Sequence, residues 1–317
     1  MSTQGKLAIL AIGGNSLIAD SKHQSVQDQY QAVLETTGHI AGLLAKGYRL
    51  VITHGNGPQV GFILRRSELA RGELHEVPLD SCGADTQGAI GYQIQQALYN
   101  VTKDWEQRPG IATVVTQVLV DRDDPSFQKP SKPIGSFLSE AEARAHQEQD
   151  GWNVVEDAGR GWRRVVASPR PQQILELEAI RQLLAAGLVV VAVGGGGIPV
   201  ALEADGTLRG ADAVIDKDLA TSLLARELQA DTLVISTAVE KVYLDYRKPT
   251  QRALDRITLL EAKQHLAAGH FAAGSMKPKI EAVIEFLEAG GQEALITDPA
   301  HLVDAFEGRT GTWIVAR

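Results

Sequence analysis

Three glycine-bearing stretches, "IGGNS" at 12–16, "THGNGPQ" at 53–59 and "VGGGGIP" at 193–199, each follow a run of apolar and β-branched residues. Glycine loses more backbone entropy on folding than any other residue, so the unbroken run Gly194, Gly195, Gly196 and Gly197 is unfavourable unless something must approach the bare backbone. In an open parallel sheet the loops after the strands gather at the carboxyl edge, where N–H groups beside helix N-termini make an anion site. One such loop is weak evidence, because tight strand-to-helix turns also use glycine. Three together favour a phosphate or carboxylate cradle. The candidate charges lie elsewhere. "VIDKDLA" places Lys217 between Asp216 and Asp218 at a helix start, where acidic capping with a solvated lysine is the plain alternative. "GSMKPK" puts Lys277 and Lys279 at another helix start, where cations oppose the helix dipole and a bound anion would compensate them. "SKPIG" carries Lys132.

Common nucleotide motifs are missing. Neither "GGNSLI" nor "GGGGIP" completes a dinucleotide fingerprint, and the one Gly-Lys pair, Gly5-Lys6, is followed by Leu7 rather than the Ser or Thr of a Walker loop. Neither H-E-x-x-H nor paired cysteines occur. Cys82 is the only cysteine, which excludes an intrachain disulfide and reads as a small buried hydrophobe. A net charge of −8 argues against nucleic acid or an anionic membrane as the main partner, so an anionic substrate would have to meet local cations. With no bilayer-length apolar stretch, and with "MSTQGK" leading directly into a strand, the expected location is cytoplasmic.

Positioning such groups requires a scaffold, and the periodicity supplies one. Strands are expected at 7–12, 49–53, 111–120, 188–193, 232–236, 294–297 and 312–315. Helices are expected from Val26 to a stop at Gly47, at 60–70, 84–101, 219–228 and 276–288, and from near Pro171 to Gly187. This alternation is that of an α/β protein whose parallel sheet is covered on both faces. Residues 121–169 break the pattern. A structureless loop of that length is improbable inside a compact domain, so they read as a lobe inserted in a single domain spanning 1–317.

Taken in order, "AIGGNS", "VITHGNGPQVG", "PLDSCGA" with "QGAIGY", "DPSFQKPSKPIG", "WRRVVASPRP", "VGGGGIPV", "AVIDKDLA" and "GSMKPK" resemble the carbamate kinase family of the amino-acid kinase superfamily, from residue 7 to 312. The resemblance implies a three-layer αβα fold on an open, mainly parallel sheet, with the insertion as a protruding subdomain. It further implies a homodimer that carries out reversible phosphoryl transfer between ADP and carbamoyl phosphate, giving ATP and carbamate, with Mg²⁺ accompanying the nucleotide. Carried onto this chain, Lys217 and Lys279 would hold the nucleotide phosphates and the transferring group, with Asp218 orienting them. Gly13, Gly14, Asn15, Gly55, Asn56 and Gly57 would cradle carbamoyl phosphate, and Gly194 to Gly197 would close the site. Thr237, Val239, Tyr243, Met276 and Lys279 would flank the nucleotide, and no side chain is assigned to a metal. "AIGGNS" stands for the family's usual "ALGGNA", and Asp85, Ala238 and Lys277 depart from its usual residues.

Acetylglutamate and uridylate relatives bring a lysine just before the first glycine pair, whereas Ala11 and Ile12 stand there in this chain. The missing charge is therefore assigned to Lys132, between Pro130 and Pro133, with the lobe acting as a lid. Two other readings stand beside this one: a kinase of another small carboxylate or carbamate-like anion, and a catalytically silent nucleotide sensor.

Overall fold

Every residue of the strand Leu7–Ile12 is buried, and its alternating side chains serve two different cores. Leu7, Ile9 and Ala11 join one apolar cluster; Ala8, Leu10 and Ile12 join the other. This period-two division requires a covering layer on each face. On the first face it comes from Leu177–Ala185, Lys217–Glu227 and Met276–Glu288, through Ile180, Leu224 and Val283. On the second, Val26–Ala45 and Leu79–Val101 contribute Val33, Ile40, Ile90 and Ile94. The result is the three-layer α/β arrangement. The computed structural model describes residues 5–317 other than 15, 16, 19, 21, 158, 160 and 273.

The central sheet has eight strands in the order Arg256–Thr258, Thr312–Val315, Glu293–Thr297, Thr232–Ser236, Leu7–Ile12, Arg49–His54, Val189–Val191 and Ile111–Thr113. All neighbours are parallel except Glu293–Thr297 against Thr312–Val315. Leu7–Ile12 lies between the strand that follows it in the chain and one from the C-terminal half. The crevice beyond its carboxyl end is therefore a switch point in strand order.

Two expectations about the elements need correction. The strand expected at 111–120 is two strands: Ile111–Thr113 stays in the central sheet, while Gln117–Leu119 belongs to a four-stranded sheet with Leu208–Gly210, Ile198–Leu202 and Gln173–Ile174. Thr116 turns the chain between them, its hydroxyl accepting from the Val193 amide at 3.0 Å and its carbonyl from the Ile198 amide at 2.9 Å. The helix expected from Pro171 begins only at Leu177, because Gln172 and Leu175 donate their amides to the Leu119 and Gln117 carbonyls and hold the intervening residues extended. Ile174 is buried as a strand residue rather than a helical one.

Within residues 121–169, a three-stranded antiparallel sheet orders Lys132–Leu138, Trp162–Val166 and Asn153–Glu156 beside the helix Glu140–Asp150. Ile134 and Val166 of this sheet pack with Val60, Leu79 and Cys82, seating it on the helices Gly57–Leu69 and Leu79–Val101.

Candidate active site

The glycine loops meet at the switch point. A side chain at Gly13 would lie 2.9 Å from the Ser236 carbonyl and 3.8 Å from the Thr237 Cα, and one at Gly55 would lie 3.9 Å from the Gly14 amide. The loops after Leu7–Ile12, Arg49–His54 and Thr232–Ser236 thus touch one another. Asn15 lies outside the described residues. Gly57 opens the helix Gly57–Leu69, whose N-terminus is capped by no side chain; the same holds for Met276–Glu288. Two helix starts with unclaimed capping positions and positive dipole ends are suited to an anion.

The bare backbone of the four-glycine run is approached closely by protein groups. All four residues are buried, and Gly195, Gly196 and Gly197 have φ of 68°, 96° and 88°. A Cβ at Gly194 would collide with the His54 ring, at Gly195 with the Asn56 amide, at Gly196 with the Ile215 carbonyl and at Gly197 with Val118. The Gly196 and Gly197 amides donate to Val193 and Gly194 carbonyls at 3.1 Å, so they are spent within the turn. The glycines let the turn fit against the loop after Arg49–His54 and bring its backbone up to Asn56. Gln87 fastens it by donating from its amide to the Gly194 carbonyl at 2.9 Å and to the Thr116 carbonyl at 3.1 Å.

Above this floor sits a cluster of opposite charges. Asp218 is buried in the first turn of Lys217–Glu227; its Oδ2 accepts a hydrogen bond from Lys279 Nζ at 2.8 Å, and its Oδ1 forms an ion pair with Lys217 Nζ at 3.0 Å. Lys217 Nζ also lies 3.4 Å from the Ile12 carbonyl, which places it at the end of the first strand. Burial alone would raise the Asp218 carboxyl, but Lys217 and Lys279 outweigh it and hold the group far below the usual carboxylate range. Burial pushes the Lys217 amine down; Asp218 opposes this and Lys279 adds to it. Beside the cluster Lys132 Nζ donates to Asp216 at 2.8 Å. Three ammonium groups thus face two carboxylates, leaving the site one positive charge in excess. An entering anion would complete the balance.

The model of the amino acid kinase family matches residues 6–298. The chain belongs to the amino acid kinase family. Among curated proteins it is 51% identical to the carbamate kinase-like protein YahI of Escherichia coli, over 98% of this chain and 99% of the relative. It is 44% identical to the carbamate kinase of Pyrococcus furiosus, with the same coverage. Among solved structures it is similar to the carbamate kinase from Giardia lamblia bound to AMP-PNP, at a TM-score of 0.93 and 42% identity, covering 99% of this chain and 100% of that one.

In this amino acid kinase the remaining expected residues divide into groups. Thr237 follows its strand beside Gly13 and donates its amide to the Thr297 carbonyl at 2.8 Å. Met276 and Lys279 sit one turn apart on the same helix. Half-buried Val239, and Tyr243 in the strand Val242–Leu244, have no described contact with the lysine cluster. Tyr243 packs against Tyr246 at 5.8 Å between ring centroids. Lys277 is exposed and pairs with Glu281 one turn along, away from the cluster. Asp85 and Ala238 are also exposed.

His54 and Gln87 were not singled out from the sequence. His54 is fully enclosed, its Nδ1 donating to the Gly55 carbonyl at 3.0 Å, and burial lowers its pKa from 6.5 to about 4, with a minor contribution from Lys217. It is a neutral spacer under Gly194 at physiological pH. The available signal for Gln87 was a polar residue on the apolar stripe of its helix, among Cys82, Ile90 and Ile94.

Proposed function

We propose that this chain is a carbamate kinase, transferring a phosphoryl group between carbamoyl phosphate and ADP to give carbamate and ATP. The observation that carries the reading is the triad of half-buried Lys217 and Lys279 on buried Asp218, set against the glycine loops at the switch point. In the ATP-forming direction an oxygen of the ADP terminal phosphate attacks phosphorus, a P–O bond forms, and the P–O bond to carbamate breaks. Carbamate leaves as an anion, so no general base is required. Catalysis is positioning plus neutralisation of charge on the transferring group. Lys217 and Lys279 supply that charge, Asp218 aims both amines, and the loops at Gly13, Gly14, Asn15, Gly55, Asn56 and Gly57 orient carbamoyl phosphate with help from the helix start at Gly57. Lys132 adds a third cation from the lobe. Thr237, Val239, Tyr243 and Met276 form the nucleotide side.

Mg²⁺ would supply further neutralisation of the nucleotide phosphates. The donor set fits an ion carried on phosphate and water rather than in a carboxylate cage, because Asp216 and Asp218 both face lysines and no group of three potential ligand side chains gathers among the described residues. A homodimer belongs to the same proposal, tested by sedimentation velocity. Among the described residues no helix is long and apolar enough to cross a membrane.

A panel of acceptors in the ATP-consuming direction tests the function. Carbamate should be preferred; a preference for N-acetylglutamate, UMP or another small carboxylate would replace this reading, and ADP binding with no turnover on any acceptor would mark a sensor.

A further inference from the structure

Asp216 carries two loads on one carboxylate. Its Oδ1 accepts the amides of Asp218 at 2.9 Å and Leu219 at 3.3 Å, capping the helix that bears Lys217 and Asp218. Its Oδ2 accepts Lys132 Nζ at 2.8 Å. Lys132 opens the first strand of the lobe sheet, paired in register with Val166, while Ala167 next to it bridges Ala213 and accepts the Val214 amide at 3.0 Å. The base of the lobe is therefore tied to the segment before the helix by backbone, and to the helix cap itself by the Lys132–Asp216 pair. Both partners are only partly covered, with side chains 33% and 18% exposed, so the amine stays open to a ligand. An ammonium has three N–H donors, and one to Asp216 leaves two.

We infer that Asp216 is the positioning residue for Lys132: through one carboxylate it fixes the lobe amine relative to the Lys217–Asp218–Lys279 triad, so that the lobe lysine meets a phosphoryl group already aimed. The inference rests on the kinase reading above and deepens it. Without Asp216, Lys132 is a long, rotamer-rich side chain at a strand end, and binding phosphate would have to order it each time. The capping and positioning roles are separable. Asn caps as well as Asp but presents an N–H to Lys132, and Ser caps without reaching it.

The experiment is a double-mutant cycle of Asp216→Asn with Lys132→Ala, read as kcat/KM for carbamoyl phosphate and as KM for ADP, together with amine acylation of Lys132 followed by peptide mass spectrometry against the exposed Lys129 in the same segment. Asp216→Asn should lower kcat/KM for carbamoyl phosphate by about fivefold or more while leaving the ADP KM unchanged. In the Lys132→Ala background that loss should disappear. Lys132 labelling relative to Lys129 should rise in Asp216→Asn. Should that variant fold poorly, Asp216→Ser serves in its place, with the same expected outcomes. Equal losses in both backgrounds would show that Asp216 acts only as a cap, and unchanged labelling would show that the ion pair does not hold in solution; either overturns the inference with the kinase reading intact. Unchanged kcat/KM in Lys132→Ala alone would instead remove Lys132 from the site, a failure of the underlying assignment.

Discussion

Lys217 is asked to do something unfavourable in the free protein: it holds an ammonium largely away from water with Asp218 as its nearest counter-charge and Lys279 close by. Such a group becomes most useful when negative charge develops beside it. Lys217→Ala should reduce kcat by about 10²- to 10⁴-fold, the range for losing one preorganised charge on a transition state. Steady-state kinetics with direct ADP titration check this, and nucleotide binding should survive better than turnover. Cys82 stands at the other extreme. Burial, helped by Asp85 and Asp80, pushes its thiol up to about 11, so thiol-directed alkylation at pH 8 should leave activity unchanged, as should Cys82→Ser. His54 carries a pH signature. It is neutral in both states above pH 6.5, but between 6.5 and about 4 only the unfolded chain takes up its proton, so stability falls as the pH drops through that window by up to about 3 kcal/mol. Urea unfolding across pH 4–7 should show this slope in the wild type and lose it in His54→Gln. Lys279 stood out in the sequence as a cation at a helix start and Lys217 as a lysine between two aspartates at another, whereas Lys132, at the start of a strand, was reached only through the family resemblance and the uncharged Ala11 and Ile12. His54 was not legible, because its role depends on a glycine turn 140 residues away in the chain.

At the level of elements, the strand Val189–Val191 and the glycine turn that follows it form one device. The strand enters the sheet between Arg49–His54 and Ile111–Thr113, and the turn then packs against His54, Asn56, Ile215 and Val118 with no room for a β-carbon. Gly195→Ala combines a left-handed φ with a collision against Asn56, and strain of about 1–3 kcal/mol is expected from the backbone alone. At about 2–4 °C per kcal/mol the melting temperature should drop by several degrees, measured by calorimetry, with activity falling as Asn56 is displaced. Strand existence and type were readable from β-branched runs, and Thr232–Ser236, Met276–Glu288 and Thr312–Val315 match the expected bounds. The break at 114–116 and the short strand Gln173–Ile174 were not readable. Both arise from pairing in a second sheet, and an apolar run does not state which sheet it will join.

For the whole molecule, two cores of alternating side chains hold the central sheet rigid, and the switch point gives the site a fixed floor. The lobe is attached differently, through a small cluster around Cys82, the bridge at Ala167 and the Lys132–Asp216 pair. Lys132→Ala should therefore lower kcat/KM for carbamoyl phosphate well beyond threefold, with little change in melting temperature. The three-layer architecture was legible from the alternation of elements, whereas the lobe's internal sheet was hidden by its mix of charges and short strands. The most direct measurement is ³¹P NMR of the purified protein with carbamoyl phosphate, ADP and Mg²⁺: the carbamoyl phosphate signal should decay while the γ-phosphate of ATP grows in equal amount, at a rate lowered about 100-fold or more by Lys217→Ala. Decay to inorganic phosphate with no ATP signal, or an ATP signal that persists undiminished in Lys217→Ala, would contradict the assignment of phosphoryl transfer to this lysine-lined site.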